Sequence, residues 1–216
     1  MYLMVASRPD IAYSVGKLAL FCEHPKWKHW LAVKRVIRYV NETSKMGLCY
    51  KGLNGASVVR YSDCDWAGDV CDRKSTSAYV FMMSGAAVSW CSRKQTITAT
   101  SSCEAEYVAM SMACKEAVWL KRLISIILPE SNMEEGITLL ADSQSAMKLA
   151  SNESINRRNK HIDITYHYVR DATSNHEVSL AYVPTGEMVA DMLNKPLGRL
   201  KFQKLRNLFG VTNVEE

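Results

Sequence analysis

The chain lacks the marks of a membrane or secreted protein. It has no apolar run long enough to span a bilayer and no signal peptide, so the expectation is a cytoplasmic protein with no membrane partner. Low-complexity tracts and internal repeats are also missing, which excludes linker-like and solenoid architectures. Cysteine is present but in the wrong form for staples. The seven cysteines are odd in number and contain no CxxC pair. They lie in apolar runs (Cys22, Cys49, Cys91, Cys114) or beside acidic residues (Cys64, Cys71), the pattern of reduced thiols and not of a disulfide framework or zinc site. The Asn-x-Ser/Thr matches at Asn41 and Asn152 are therefore read as idle. At 216 residues the chain can bury an ordinary core in one sizeable domain plus an appendage. A net charge of +5 favours a polyanionic partner only mildly.

What the chain does have is carboxylates placed where patterned elements end. The stretch VVRYSDCDWAGD, residues 58–69, alternates Val59 and Tyr61 with Arg60 and Ser62 as a half-buried strand does, then stops at Asp63 and Asp65. Those two acids share a strand face, so periodicity does not separate them. Strands at residues 77–83 and 87–91 complete a three-stranded meander through the turn Ser84-Gly85-Ala86. A long helix over residues 103–128 follows. At 3.6 residues per turn Glu104 falls with Ser111, Lys115 and Arg122, a solvated face. Glu106 falls with Met110, Ala113, Ala117, Leu120 and Ile124, where a carboxylate is costly unless something positive meets it. Pro129 closes that helix. A short apolar strand at residues 137–141 ends at Asp142, and a helix spans residues 143–150. Asp142 can cap that helix, but Ser143 can cap it equally well and leave Asp142 free.

The remainder reads as a basic loop (residues 151–160), a helix (161–172), a fifth strand (177–183), a helix around 187–193 and a tail helix around 197–209. Glu187 and Asp191 lie four apart on one helical face and repel by a few tenths of a kcal/mol; an Asp191–Lys195 pair or a nearby cation relieves this. Upstream, two helices (11–22 and 27–40) meet at Pro25. In the second, Trp30, Val33, Ile37 and Val40 form an apolar stripe for packing. Lys34, Arg35 and Arg38 form either a solvated basic face or a track for a phosphate backbone. The Gly-rich joint KGLNGAS, with Gly52, Asn54 and Gly55, marks a boundary.

Taken together, YSDCDWAGD, DRKSTSAYVF, VSWCSRKQ, SSCEAEYVAM, ADSQSAM, NKHIDITYHYVRD and YVPTGEMVADMLNKPL resemble the ribonuclease H domain of copia-type retrotransposon polyproteins, in the family's order. YLMVASRPDIAYSVGKLALF and HWLAVKRVIRYV are similar to the segment that joins reverse transcriptase to it. The resemblance implies an α/β, ribonuclease H-like fold: a five-stranded mixed sheet flanked by helices and preceded by a two-helix segment. It divides the chain into a connection (1–52), the ribonuclease H-like domain (56–197) and a tail helix (198–216). It also implies that Asp63, Glu106, Asp142 and Asp191 are catalytic metal ligands, and it alone favours Asp63 over Asp65.

Four converging carboxylates repel unless divalent cations neutralise them. Oxygen ligands suit Mg²⁺ or Mn²⁺. Two such ions about 4 Å apart can activate a water, hold a scissile phosphate and stabilise the leaving 3′ oxygen. The implied substrate is the RNA strand of an RNA–DNA hybrid, cut to 3′-hydroxyl and 5′-phosphate ends, and the implied partner is the polymerase part of a reverse transcriptase. Ser101 and Ser102 stand where relatives meet the hybrid, and selection for RNA needs the 2′-hydroxyl. Arg93, Lys94, Arg157, Arg158 and Lys160 are phosphate-contact candidates, each also readable as solvated loop charge.

The chain departs from many cellular ribonucleases H in having no histidine in the loop VPTGE after the fifth strand; His161 and His167 are read as structural. It contains no YxDD-type motif, so DNA synthesis is not expected. A non-catalytic nucleic-acid tether is the alternative function, although none of the four acids is missing. An integrase on the same fold would place its glutamate after both aspartates, whereas Glu106 lies between Asp63 and Asp142.

Overall fold

The computed structural model describes residues 1–52, 59–128, 137–151 and 163–214. Strand β1 (Met46–Leu48) precedes a meander of β2 (Val59–Asp65), β3 (Thr76–Met83) and β4 (Ala86–Lys94), all antiparallel. Strands β5 (Ile137–Ala141) and β6 (Val178–Tyr182) then add in parallel, giving the order β4-β3-β2-β5-β6. This is the five-stranded mixed sheet that the sequence led us to expect.

Both faces of the sheet are covered. On one lie α4 (Ser102–Ile127), α5 (Gln144–Ser151) and α6 (Asp163–Ser174). The core there joins Phe81, Ile137, Leu139 and Val178 to Tyr107, Met110, Ala117 and Val169. On the other, Ala78, Val80 and Ala87 meet Ala12, Met188, Leu193, Leu205, Phe209 and Val211. The second layer therefore comes from both ends of the chain: α2 (Ala12–Ala19), the 3₁₀ turn Val189–Leu193, α7 (Arg199–Leu208) and β7 (Val211–Asn213). This corrects the expectation that β2 is half-buried. Arg60 is 7% and Ser62 1% exposed, because β2 is central and covered on both faces, while Val59, Tyr61 and Asp65 stay partly exposed.

Strands β1 and β7 were not foreseen. They pair antiparallel, Gly47 opposite Thr212, and tie the N-terminal segment to the tail. Gly210 makes the junction possible. Its φ of +77° is left-handed, and a Cβ there would lie 2.5 Å from Ala86 Cβ. The N-terminal segment contains the short α1 (Tyr2–Ala6), α2 and α3 (Trp27–Glu42). The apolar stripe of α3 does not bury as expected: Trp30 and Ile37 remain 50% and 57% exposed, and Val33, Ile37 and Val40 border an open groove of about 980 Å³ shared with α1 and α2. The predicted helix at 187–193 is instead two 3₁₀ turns, Thr185–Glu187 and Val189–Leu193. The joint at Asn54 and Gly55 lies outside the described residues. Among the described helices none is long and apolar enough to cross a membrane, and all seven cysteines are free.

Candidate active site

The register of the sheet brings two of the acids together. Ser62 of β2 stands opposite Ala141 of the parallel strand β5, so the next residues, Asp63 and Asp142, emerge side by side. The carboxyl ends of parallel strands are where open α/β sheets present functional groups. Glu106 enters from α4, just over one turn past its start, where the helix crosses β2. Carboxylate oxygens of Asp63, Glu106 and Asp142 all lie within 4.8 Å of one another.

Local structure explains each placement. Ser101 caps α4, its hydroxyl accepting from Glu104 N at 3.2 Å. Glu104 Oε2 accepts from Thr100 N at 2.7 Å and from Thr100 Oγ1 at 2.6 Å. Glu104 is thus a buried capping residue, 5% exposed, and not the solvated one expected; its bonds to Thr100 draw it against the helix start. Ser143 Oγ accepts from Ala146 N at 3.3 Å, capping α5. Asp142 is left to accept from Thr185 Oγ1 at 2.7 Å. Asp65 turns away, its carboxylate lying over Gly68, where a Cβ would come within 1.7 Å of Oδ2.

Asp191 reaches the cluster from the turn Val189–Leu193, at hydrogen-bonding distance from Asp63 and outside the group of three. It is 1% exposed and pairs with Lys201 at Oδ2 and with Lys195, whose Nζ is 2.6 Å from Oδ1. That second contact is an ion pair off hydrogen-bonding geometry, so among the described residues Oδ1 is buried without a hydrogen bond. Lys195 Nζ is also 3.3 Å from Asp63 Oδ2, which accepts from Asn194 Nδ2 at 2.9 Å.

Burial and mutual repulsion set the charge state. Desolvation pushes Asp63 up to about 7, with Asp191 adding to the rise and Lys195 opposing it. Desolvation pushes Glu106 up to about 9, helped by Asp63 and Asp142. Asp191 moves the other way: burial raises it, but Asp63 and the ammonium groups of Lys195 and Lys201 hold it below the usual carboxylate range. Asp69, in the same sequence motif as Asp63, is a contrast: its bond to Lys94 takes it down to about 2. Among the described residues only Lys195 offsets the converging set, which is therefore short of positive charge there, whereas Asp69 is paired with Lys94. Oxygen donors converging on one point and the raised pKa values of Asp63 and Glu106 together fit a hard divalent cation.

The other expected residues divide. Ser102, Glu106, Asp142, Ser143, Gln144, Ser145 and Tyr182 line an open depression of about 440 Å³, and Ser101 stands exposed at its edge. Arg93 is exposed, but Lys94 is held by Asp69 at 2.8 Å and Asp72 at 3.0 Å. Lys34 lies over the rings of Trp27 and Trp30, while Arg35 and Arg38 are exposed. Arg157, Arg158, Lys160 and His161 lie outside the described residues, as does the side chain of His167. Sequence reasoning missed Asn194, Thr185, Lys201 and Tyr182. Of these, Tyr182, Thr185 and Asn194 lie within the motif YVPTGEMVADMLNKPL without having been given a role, and Lys201 lies beyond it.

No family model matches the chain. Among known proteins it is 39% identical over 211 residues to the Retrovirus-related Pol polyprotein from transposon TNT 1-94 of Nicotiana tabacum, covering 98% of this chain and 16% of that one. To the Pol polyprotein from transposon RE1 of Arabidopsis thaliana it is 35% identical over 208 residues, 96% of this chain and 14% of that one. The chain thus spans about a sixth of these relatives. Among solved structures, RNase H1 from Halobacterium salinarum aligns with a TM-score of 0.44 at 19% identity, over 63% of this chain and 93% of that one. With similarity to these polyproteins along nearly the whole of its own length and the five-stranded sheet described above, the chain belongs to the copia-type retrotransposon Pol polyproteins, as a segment with a ribonuclease H-like fold.

Proposed function

We propose that this segment is a divalent-cation-dependent nuclease that hydrolyses the RNA strand of RNA–DNA hybrids during reverse transcription, acting in the cytoplasm beside the polymerase part of its polyprotein. The observation that carries this reading is the convergence of Asp63, Glu106 and Asp142 from three separate elements to within 4.8 Å. Repelling carboxylates on rigid supports are costly to fold and contribute nothing to packing. Asp63, Glu106, Asp142 and Asp191 would hold Mg²⁺ or Mn²⁺, which when bound neutralises the carboxylates and supplies Lewis-acid stabilisation of an in-line phosphodiester displacement.

The chain's own residues prepare the rest. Thr185 fixes the Asp142 carboxylate and Asn194 fixes Asp63, leaving their other oxygens to converge. Ser101 and Ser102 put small polar groups at the edge of the depression, suited to the 2′-hydroxyl side of a hybrid, and exposed Arg93 suits a phosphate. Residues 56–197 are the nuclease unit in this reading, with 1–52 the connection and 198–216 the tail.

The test is cleavage of a labelled RNA–DNA hybrid with Mg²⁺ or Mn²⁺, against duplex DNA and duplex RNA, by the wild type and Asp142→Asn. Hybrid-selective, metal-dependent cutting that Asp142→Asn abolishes is expected. Cutting that survives the substitution, or hybrid binding with no cutting in either metal, overturns the reading.

A further inference from the structure

The four carboxylates do not share their cations evenly. Asp63, Glu106 and Asp142 lie within reach of one ion, whereas Asp191, buried behind Asp63, already faces two lysines. Lys201 alone balances the charge of Asp191. Lys195 is a further cation, and its ammonium is set between Asp191 Oδ1 at 2.6 Å and Asp63 Oδ2 at 3.3 Å, on the side of the site where those two carboxylates face each other. The ammonium's nearest contact, with Asp191 Oδ1, is an ion pair off hydrogen-bonding geometry, and among the described residues Oδ1 has no hydrogen bond to hold it in place.

We propose that Lys195 is a built-in counter-cation that holds the Asp63–Asp191 side of the site and must withdraw before a divalent ion can bridge those two residues. The inference rests on the metal-dependent reading above. Its consequence is an order of filling. The three-carboxylate side accepts an ion first. The Asp191 side accepts one only when the Lys195 ammonium is displaced, and a negatively charged phosphate entering the depression offers that ammonium another partner. Lys195 is 29% exposed at its side chain and can swing out without unfolding the turn that carries it. It is a positioning residue for the second ion and touches no reacting atom.

Mn²⁺ alone, titrated into the metal-free protein and followed by electron paramagnetic resonance and calorimetry, tests this without reference to activity. The wild type should bind one ion tightly and a second weakly. Lys195→Met, which keeps the stem and removes the charge, should tighten the second event by about 10-fold, the scale on which groups beside a metal site alter affinity. Lys195→Arg, which keeps the charge, should resemble the wild type and so separates lost charge from a disturbed fold. If the wild type binds one ion that Asp142→Asn removes, but Lys195→Met leaves the second event unchanged or weaker, the role of Lys195 is overturned while the metal site stands. If the wild type binds no Mn²⁺ that Asp142→Asn affects, both are overturned.

Discussion

Asp63 and Glu106 favour their protonated forms in the folded state, and this fixes the sign of a pH effect. Their ordinary values are 3.8 and 4.5, and burial raises them to about 7 and about 9. Between those limits the folded protein binds more protons than the unfolded chain, so the stability of the metal-free protein falls as pH rises from near 4 towards 9. A melting series without metal should show this decline, and Glu106→Gln should flatten its upper half. Added Mn²⁺ should raise the melting temperature more at pH 8 than at pH 5.5, since cation and proton compete for the same oxygens. Part of this site was readable from residue types and spacing. Helical period separated Glu106 from Glu104, and the Ser143 cap left Asp142 free. Period nonetheless sent Glu104 to solvent, because counting faces does not register a side chain that folds back on its own helix start. Asn194 was not foreseen, since the end of a 3₁₀ turn carries no repeating apolar signal, and Lys201 was not, since it lies on the tail helix α7, whose contact with Asp191 no local pattern encodes.

The helix α4 shows how an element holds a functional group. Its start is fixed by Ser101 and by the bonds from Thr100 to Glu104, and Glu106 sits one turn further on. Ser101→Ala should cost about 1 kcal/mol in urea denaturation. The strands were found close to where alternation and turn residues put them, because a meander is encoded locally. What alternation did not reveal was that β2 is covered on both faces, a property set by the strands and layers around it. The 3₁₀ form of the Val189–Leu193 turn, between Met188 with extended backbone and Pro196, likewise depends on what it packs against.

At the scale of the molecule, the two ends of the chain behave as one layer. Arg8 grips the buried carboxylate of Asp10 through Nε at 2.9 Å and Nη2 at 2.8 Å, and Tyr39 donates to the same carboxylate at 2.7 Å. Arg206 of α7 reaches Tyr39 Oη at 3.4 Å, linking the tail to the N-terminal helices. Asp10→Ala leaves the buried Arg8 without a carboxylate, with only the neutral oxygens of Thr43 to meet it, and should cost roughly 3–5 kcal/mol by chemical denaturation. Composition offered no hint of this layer, because the pairing of β1 with β7 is a contact between segments too far apart for any local pattern.

That pairing also imposes a schedule. A chain made from its N-terminus exposes Met46–Leu48 and the inner side of α2 long before Val211–Asn213 exists to close over them. Contacts that close so long a loop form late. Until Val211–Asn213 emerge, an unpaired strand edge and an apolar face stay open to other chains. A ribosome-stalled product ending before Val211 should therefore be cut readily by protease within residues 1–52, and resistance should appear abruptly once β7 is released.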